Sequence, residues 1–211
     1  MEGELEPLPV TQASADAVAD SVAQGFHDNE MWCWILPDSR RRQRVLHRYY
    51  RTTVRHVFVP GQTAWTSSDC AGGALWFAPG ELSISLVQTL RELAVLAPAL
   101  GVRGMRRALA IETVKRRHRP SDDHWYLETL SIAPARQRSG VGTALITPVL
   151  ERCDAEGLPS YLETQRRANV PFYKRFGFSL QGEVTTLDSP PLWLMWREPV
   201  ATPANVREYA L

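Results

Sequence analysis

The sequence predicts one α/β domain, and three observations predict it. A strand, a glycine-bearing turn and a helix succeed one another between Trp125 and Gly157. Short runs of β-type residues alternate with segments that carry a helical apolar stripe along most of the chain. A length of 211 residues suits one core of ordinary size, so residues 1–211 are read as a single domain.

Leu8 to Gln12 suits a short first strand, and Ser14 is placed to cap a helix from Ala15 to Phe26, whose Ala15, Val18, Ala19, Val22 and Phe26 form one stripe. The stretch from His27 to Pro37 has no clean period. Asp38 or Ser39 caps a second helix to about Val57, with Val45, Leu46, Tyr49 and Val54 inward and Arg40, Arg41, Arg42 and Arg44 as a solvated face. Pro60-Gly61 marks a turn. Thr63–Thr66 and Gly73–Phe77 read as an antiparallel pair.

From Glu81 to Arg119 the pattern is helical, apolar first and basic later (Arg103, Arg106, Arg107, Lys115, Arg116, Arg117, Arg119), with breaks expected near Pro98 and Gly101. In the strand Trp125–Ile132, strict alternation puts Tyr126, Glu128, Leu130 and Ile132 on one face and Leu127, Thr129 and Ser131 on the other, unless a bulge intervenes. The next helix carries Val141, Ala144, Leu145, Val149 and Cys153 inward, kinks at Pro148 and stops at Gly157. Tyr161–Thr164 is a strand, Asn169 caps a short helix to Arg175, and Phe178–Gly182 and Leu192–Arg197 are the last two strands before a loose tail from Pro199.

Composition excludes several classes of function. With 24 Lys and Arg against 23 Asp and Glu, the net charge of +1 provides no bulk attraction to nucleic acid or acidic membrane. The longest apolar stretch, Leu82–Leu100, is interrupted by Gln88, Arg91 and Glu92, short of a membrane span. Three cysteines without a C-x-x-C, and an N-terminus without a basic region and apolar run, point to a reducing cytoplasm. The five histidines include neither H-x-x-x-H nor H-E-x-x-H, so no metal is expected, and no G-x-S-x-G supports serine hydrolysis.

The turn after Trp125–Ile132 is where chemistry is legible. Gly140 and Gly142 let the backbone approach a ligand without a Cβ in the way, and the first helical turn presents unpaired N–H groups to an anion such as a diphosphate. A dinucleotide fingerprint needs a third glycine in register, and Ala144 and Leu145 follow instead. Gln137, Gly140 and Gly142 match the Q/R-x-x-G-x-G/A signature, and Asn169 to Phe178 matches the ending N-x-x-F/Y-Y-x-x-x-G-F. In both, the chain resembles the GNAT superfamily of N-acetyltransferases, and from about His118 to Pro199 it looks most like puromycin N-acetyltransferase and its relatives.

That resemblance implies a central mixed, largely antiparallel sheet with one splayed strand pair, flanked by helices, and an acetyl-CoA-binding half at about 118–198. It implies acetyl-CoA contacts from Leu130, Ser131 and Ile132 on the splayed strand, from Gln137, Arg138, Ser139, Gly140, Val141, Gly142 and Thr143 at the loop, and from Asn169, Phe172 and Tyr173. Tyr173 matches the general acid beside the departing thiolate; a phenol with a pKa near 10 is still protonated at neutral pH. Glu128 and Glu163 compete as base or acceptor contact, and water remains an alternative. Trp32 and Trp34 suit either an acceptor pocket or the core. The insertion at 81–119, shared with the puromycin-enzyme relatives, either walls the acceptor site or packs on the sheet. The expected reaction is direct acetyl transfer in a ternary complex to the primary amine of a small molecule, by a monomer or homodimer, with no nucleic-acid or membrane partner. A CoA-binding sensor without catalysis is the alternative.

Overall fold

A computed structural model describes residues 5–81 and 86–200. Met1–Glu4, the start of the insertion at 82–85 and the tail beyond Val200 lie outside the described residues. Among the described residues seven strands form one open sheet: β1 (Leu8–Pro9), β2 (Ala64–Thr66), β3 (Gly72–Phe77), β4 (Trp125–Ile132), β5 (Ser160–Thr164), β6 (Ser179–Val184) and β7 (Leu192–Arg197), in the spatial order β1-β2-β3-β4-β5-β7-β6. Every neighbouring pair is antiparallel except β4 and β5.

Helices α1 (Ala15–Phe26) and α3 (Ser39–Thr53) cover one face around Val18, Val22, Leu46, Val54 and Leu75. α3 runs through a π-turn at Val54–Phe58 into a last turn, α4 (Val59–Gly61). Helices α6 (Val141–Glu156) and α7 (Val170–Lys174) cover the other face, where Trp76, Trp125, Leu127, Leu162 and Met195 pack on Leu145, Ile146, Val149 and Tyr173. The insertion is α5 (Leu86–His118), broken at Gly101, whose φ of 61° takes it out of the helix. Its inner side joins Leu100 and Ile111 to Met31, Ile35, Leu36, Val45 and Leu192.

Several local expectations needed correction. The segment without a clear period contains a six-residue helix, α2 (Glu30–Ile35), because Asn29 Oδ1 accepts from the amides of Met31 and Trp32 at 3.0 and 3.3 Å. Ser14 does not cap α1 with its side chain; its hydroxyl instead accepts from Thr11 N. Asn169 likewise makes no cap bond and donates through Nδ2 to Thr164 Oγ1 at 3.3 Å, lashing α7 to the end of β5. Arg42 is no part of a solvated face: 5% exposed, it donates to the carbonyl of His27, just after α1, and to those of Leu36 and Pro37 in the turn between α2 and α3. Pro98 lies within α5, where the break falls at Gly101 alone.

The α6 end of the sheet is fastened by a bidentate pair, Arg197 to Asp154 at 2.8 and 2.7 Å, with Arg197 5% exposed. Burial alone would raise the Asp154 pKa, but hydrogen bonds from Arg197 and Val200 N hold it below the usual carboxylate range. Asp154→Asn is expected to cost on the order of 3 kcal/mol, roughly 6–12 °C of melting temperature, because a buried guanidinium loses its counter-charge. A carboxylate with a depressed pKa contributes stability above its unfolded value and loses it as pH falls through the folded one. Melting curves from pH 7 down to 3 should therefore show the gap between wild type and variant closing below about pH 4.

Candidate active site

β4 and β5 pair only at Trp125 with Ser160, Tyr126 with Tyr161 and Leu127 with Leu162, after which the strands part. The β5-facing edge of residues 128–132 is therefore left without a strand partner. On its other edge β4 bulges: Thr129 opposes Leu75 and Leu127 opposes Trp76, leaving Glu128 as the extra residue. Strict alternation along β4 thus fails. Leu130 and Ile132 lie with Leu127 on the α6 face. Ser131 lies on the α1 face, where its hydroxyl donates to Val22 O at 3.0 Å. Helix α1 comes so close here that a Cβ at Gly25 would stand 2.7 Å from the Ile132 carbonyl oxygen.

Below the parted strands runs a groove of about 590 Å³, lined by Leu130, Ser131, Ile132, Gln137, Arg138, Gly140, Gly142, Thr143, Asn169, Phe172 and Tyr173. It brings together most of the residues expected at a cofactor site. Val141 faces the core at 1% exposure, and the Ser139 hydroxyl is spent on Arg136 O at 2.6 Å, so neither side chain lines the groove. Sequence reasoning missed Gly25, Phe26, Asn29, Arg166 and Arg175, which reach the groove only through tertiary packing. Arg166 is held there by donating to Asp28 O at 2.7 Å.

The loop geometry explains the anion site. Gln137 Nε2 donates to Ile132 O at 3.1 Å, tying the loop to the strand end. Arg138 and Gly140 have φ of 62° and 87°, and the first helical bond of α6 runs from Ala144 N to Gly140 O at 3.1 Å. The amides between them have no acceptor among the described residues, and α6 adds its dipole. Gly142 leaves open a cradle: a Cβ there would meet Phe172 Cζ at 3.6 Å and Ile132 Cγ1 at 3.9 Å. These features fit a diphosphate with a pantetheine arm.

Tyr173 is 7% exposed, edge-on to Phe172 and Phe178 at 5.1 and 5.9 Å, and its hydroxyl has no partner among the described residues. Burial pushes the phenol above its ordinary range and keeps it protonated. Glu128 and Glu163 stand on the opposite side of the sheet with Tyr126 and Lys115. Lys115 Nζ lies 3.3 and 3.1 Å from the two Glu128 oxygens and 3.9 Å from Glu163 Oε2. Tyr126 donates to Glu163 Oε2 at 2.6 Å. The Glu163 side chain is only 3% exposed against 28% for Glu128, so Glu128 is the carboxylate that reaches open space.

The aromatic residues divide. Trp32 packs on Tyr49 at 5.8 Å beside the helices of the first face. Trp34 is covered by Arg107, whose guanidinium stands 4.6 Å over the ring while donating to Trp34 O. Trp76 is fully buried under α6, a core role. Among the described residues no group of His, Cys, Asp and Glu could hold a metal, and no helix is long and apolar enough to cross a membrane.

An open α/β sheet whose parallel pair parts over a glycine-fed helix N-terminus defines the GNAT fold. Comparison with known proteins agrees. Residues 103–178 match the model of the acetyltransferase (GNAT) family. Over 142 residues the chain is 35% identical to an uncharacterized N-acetyltransferase of Schizosaccharomyces pombe, across 62% of this chain and 58% of that one. The chain thus spans little more than half the length of the curated relative it matches. A Corynebacterium glutamicum structure described as histone acetyltransferase HPA2 and related acetyltransferase covers 94% of this chain and 98% of its own, with a TM-score of 0.69 and 21% identity. Arylalkylamine N-acetyltransferase 2 of Aedes aegypti covers 93% and 99%, with a TM-score of 0.58 and 14% identity. These structures share the fold, and the likeness to the acetyltransferase (GNAT) family is carried by residues 103–178 and by the stretch aligned with the curated relative.

Proposed function

We propose that the protein transfers acetyl from acetyl-CoA to the primary amine of a small molecule by direct attack in a ternary complex. The observation that carries this is the parting of β4 from β5, which leaves a free strand edge between the groove under α6 and the carboxylate on the far side. When bound, acetyl-CoA supplies an activated acyl group. The amides of the Gln137–Thr143 loop and α6 N-terminus hold its diphosphate, and Leu130, Ser131 and Ile132 take the pantetheine arm along their free main chain, with Asn169, Phe172 and Tyr173 closing the groove.

Glu128 takes the proton of the attacking amine directly or through water, and Tyr173 donates one to the departing sulfur. Glu163, 3% exposed, is linked to Glu128 through the ammonium of Lys115. No cysteine lines the groove, and burial pushes the Cys153 thiol up to about 12, so an acyl-cysteine route has no candidate among the described residues.

Fold neighbours bear names that point both to arylalkylamines and to histones, so the acceptor is argued from this chain. The charge of Glu128 reaches the phenol of Tyr49, which packs on Trp32 at 5.8 Å, and this aromatic pair suits an amine on an aromatic or amphipathic body, as the resemblance to the puromycin-acetylating branch also suggests. A screen following CoA thiol release should show arylalkyl amines turned over at least tenfold better in kcat/KM than histone-tail peptides. The opposite ranking would remove the small-molecule reading. The same reading places the protein in the cytoplasm as a monomer or homodimer.

A further inference from the structure

We infer that Lys115, supplied by the insertion helix α5, is a positioning residue of the acceptor site, holding Glu128 turned toward the open end of the strand wedge. This rests on the proposed acetyl transfer. Three distances define the tie: the ammonium stands 3.3 and 3.1 Å from the two Glu128 oxygens and 3.9 Å from Glu163 Oε2. Its side chain is 12% exposed and lies 5.5 Å from the Tyr126 ring centroid. Glu128 needs such a partner because it is the bulge residue of β4: neither the β3 ladder nor the β5 pairing dictates where its side chain points.

The arrangement has a consistent charge logic. A lysine taken out of water loses its proton more readily, yet the carboxylates of Glu128, Glu163 and Glu112 outweigh that and hold Lys115 above its ordinary range. The ammonium is therefore a fixed charge at neutral pH. Glu163 is held independently of Glu128, because Tyr126 donates to its Oε2 at 2.6 Å and Arg119 in turn lies 4.4 Å from the Tyr126 ring centroid. Glu163 thus anchors Lys115, and Lys115 in turn anchors Glu128. The insertion becomes part of the acceptor site through one side chain, while the groove under α6 is left without any contact from Lys115.

The test is Lys115→Met beside Lys115→Arg, measured for acetyl-CoA affinity by calorimetry, for melting temperature, and for kcat and KM with phenethylamine as probe amine. The methionine variant is expected to bind acetyl-CoA within about twofold of wild type and to lose at least tenfold in kcat, and the arginine variant to recover most of that loss. Full kcat in the methionine variant, or equal losses in both variants that track a lower melting temperature, would overturn the inference in favour of a merely structural lysine. Failure of wild type to acetylate phenethylamine or any other amine counts against the proposed function, and the tie is then read without turnover from a melting-temperature cycle of Lys115→Met and Glu128→Gln. Strong coupling between the two changes supports the tie, and additivity overturns it.

Discussion

Tyr173→Phe is expected to lower kcat for amine acetylation by roughly 10²–10⁴-fold while acetyl-CoA affinity and melting temperature barely change. The ring packs between Phe172 and Phe178 and survives the change, so the core loses nothing it was using. The hydroxyl has no partner among the described residues, so its removal strands no hydrogen-bonding group. What disappears is a proton held in place by burial at the wall of the groove. A stopped assay and a melting curve on the same preparations decide the matter. A fully active, normally stable variant would leave water as the donor, and tight acetyl-CoA binding with no turnover of any amine by the unmodified protein would instead favour a sensor.

Gly142→Leu should abolish measurable acetyl-CoA binding while the protein stays folded. The position has helical backbone and a Cβ there has room, 3.6 Å from Phe172 Cζ, but the branched end of the side chain would enter the groove or press on Phe172. Gly140 makes a less discriminating site for the same experiment. Its φ of 87° penalises any side chain by about 1–2 kcal/mol, and its Cβ would stand 3.2 Å from Leu5, so lost binding there is mixed with lost stability. Calorimetry on a Gly142→Leu protein with a wild-type melting curve separates the effects. Unchanged affinity would remove the loop from the cofactor site.

Much of the donor side was legible in the sequence because its determinants are local. Gln137, Gly140 and Gly142 lie within six residues, and a strand, a turn and a helix start can be read from neighbouring residue types alone. Phe172 and Tyr173 stand on one short helix and Asn169 just before it, and this Asn-to-Gly spacing also survives in one dimension, although the role of Asn169 shifted from cap to lashing once Thr164 came within 3.3 Å. The acceptor side was not legible in the same way. Whether Arg42, Arg107 and Lys115 face water or the interior depends on carbonyls and carboxylates up to 81 residues away in the chain, and a helical period cannot report them.

By itself the sequence determined an α/β fold and a glycine-fed helix N-terminus suited to a diphosphate. It also put Tyr173 at the position to which the resemblance to the GNAT superfamily assigns a proton donor. Only the tertiary structure decided which strand carboxylate is exposed. A bulge at Glu128 breaks the two-residue period that would have put it beside Leu130 and Ile132, and the ladder with β3 alone reveals that bulge. Only the packing of α5 against the sheet brought a buried ammonium to that carboxylate. The physical reason is common to both: backbone conformation follows from neighbours in sequence, whereas the burial and charge of a side chain follow from whatever the rest of the fold brings against it.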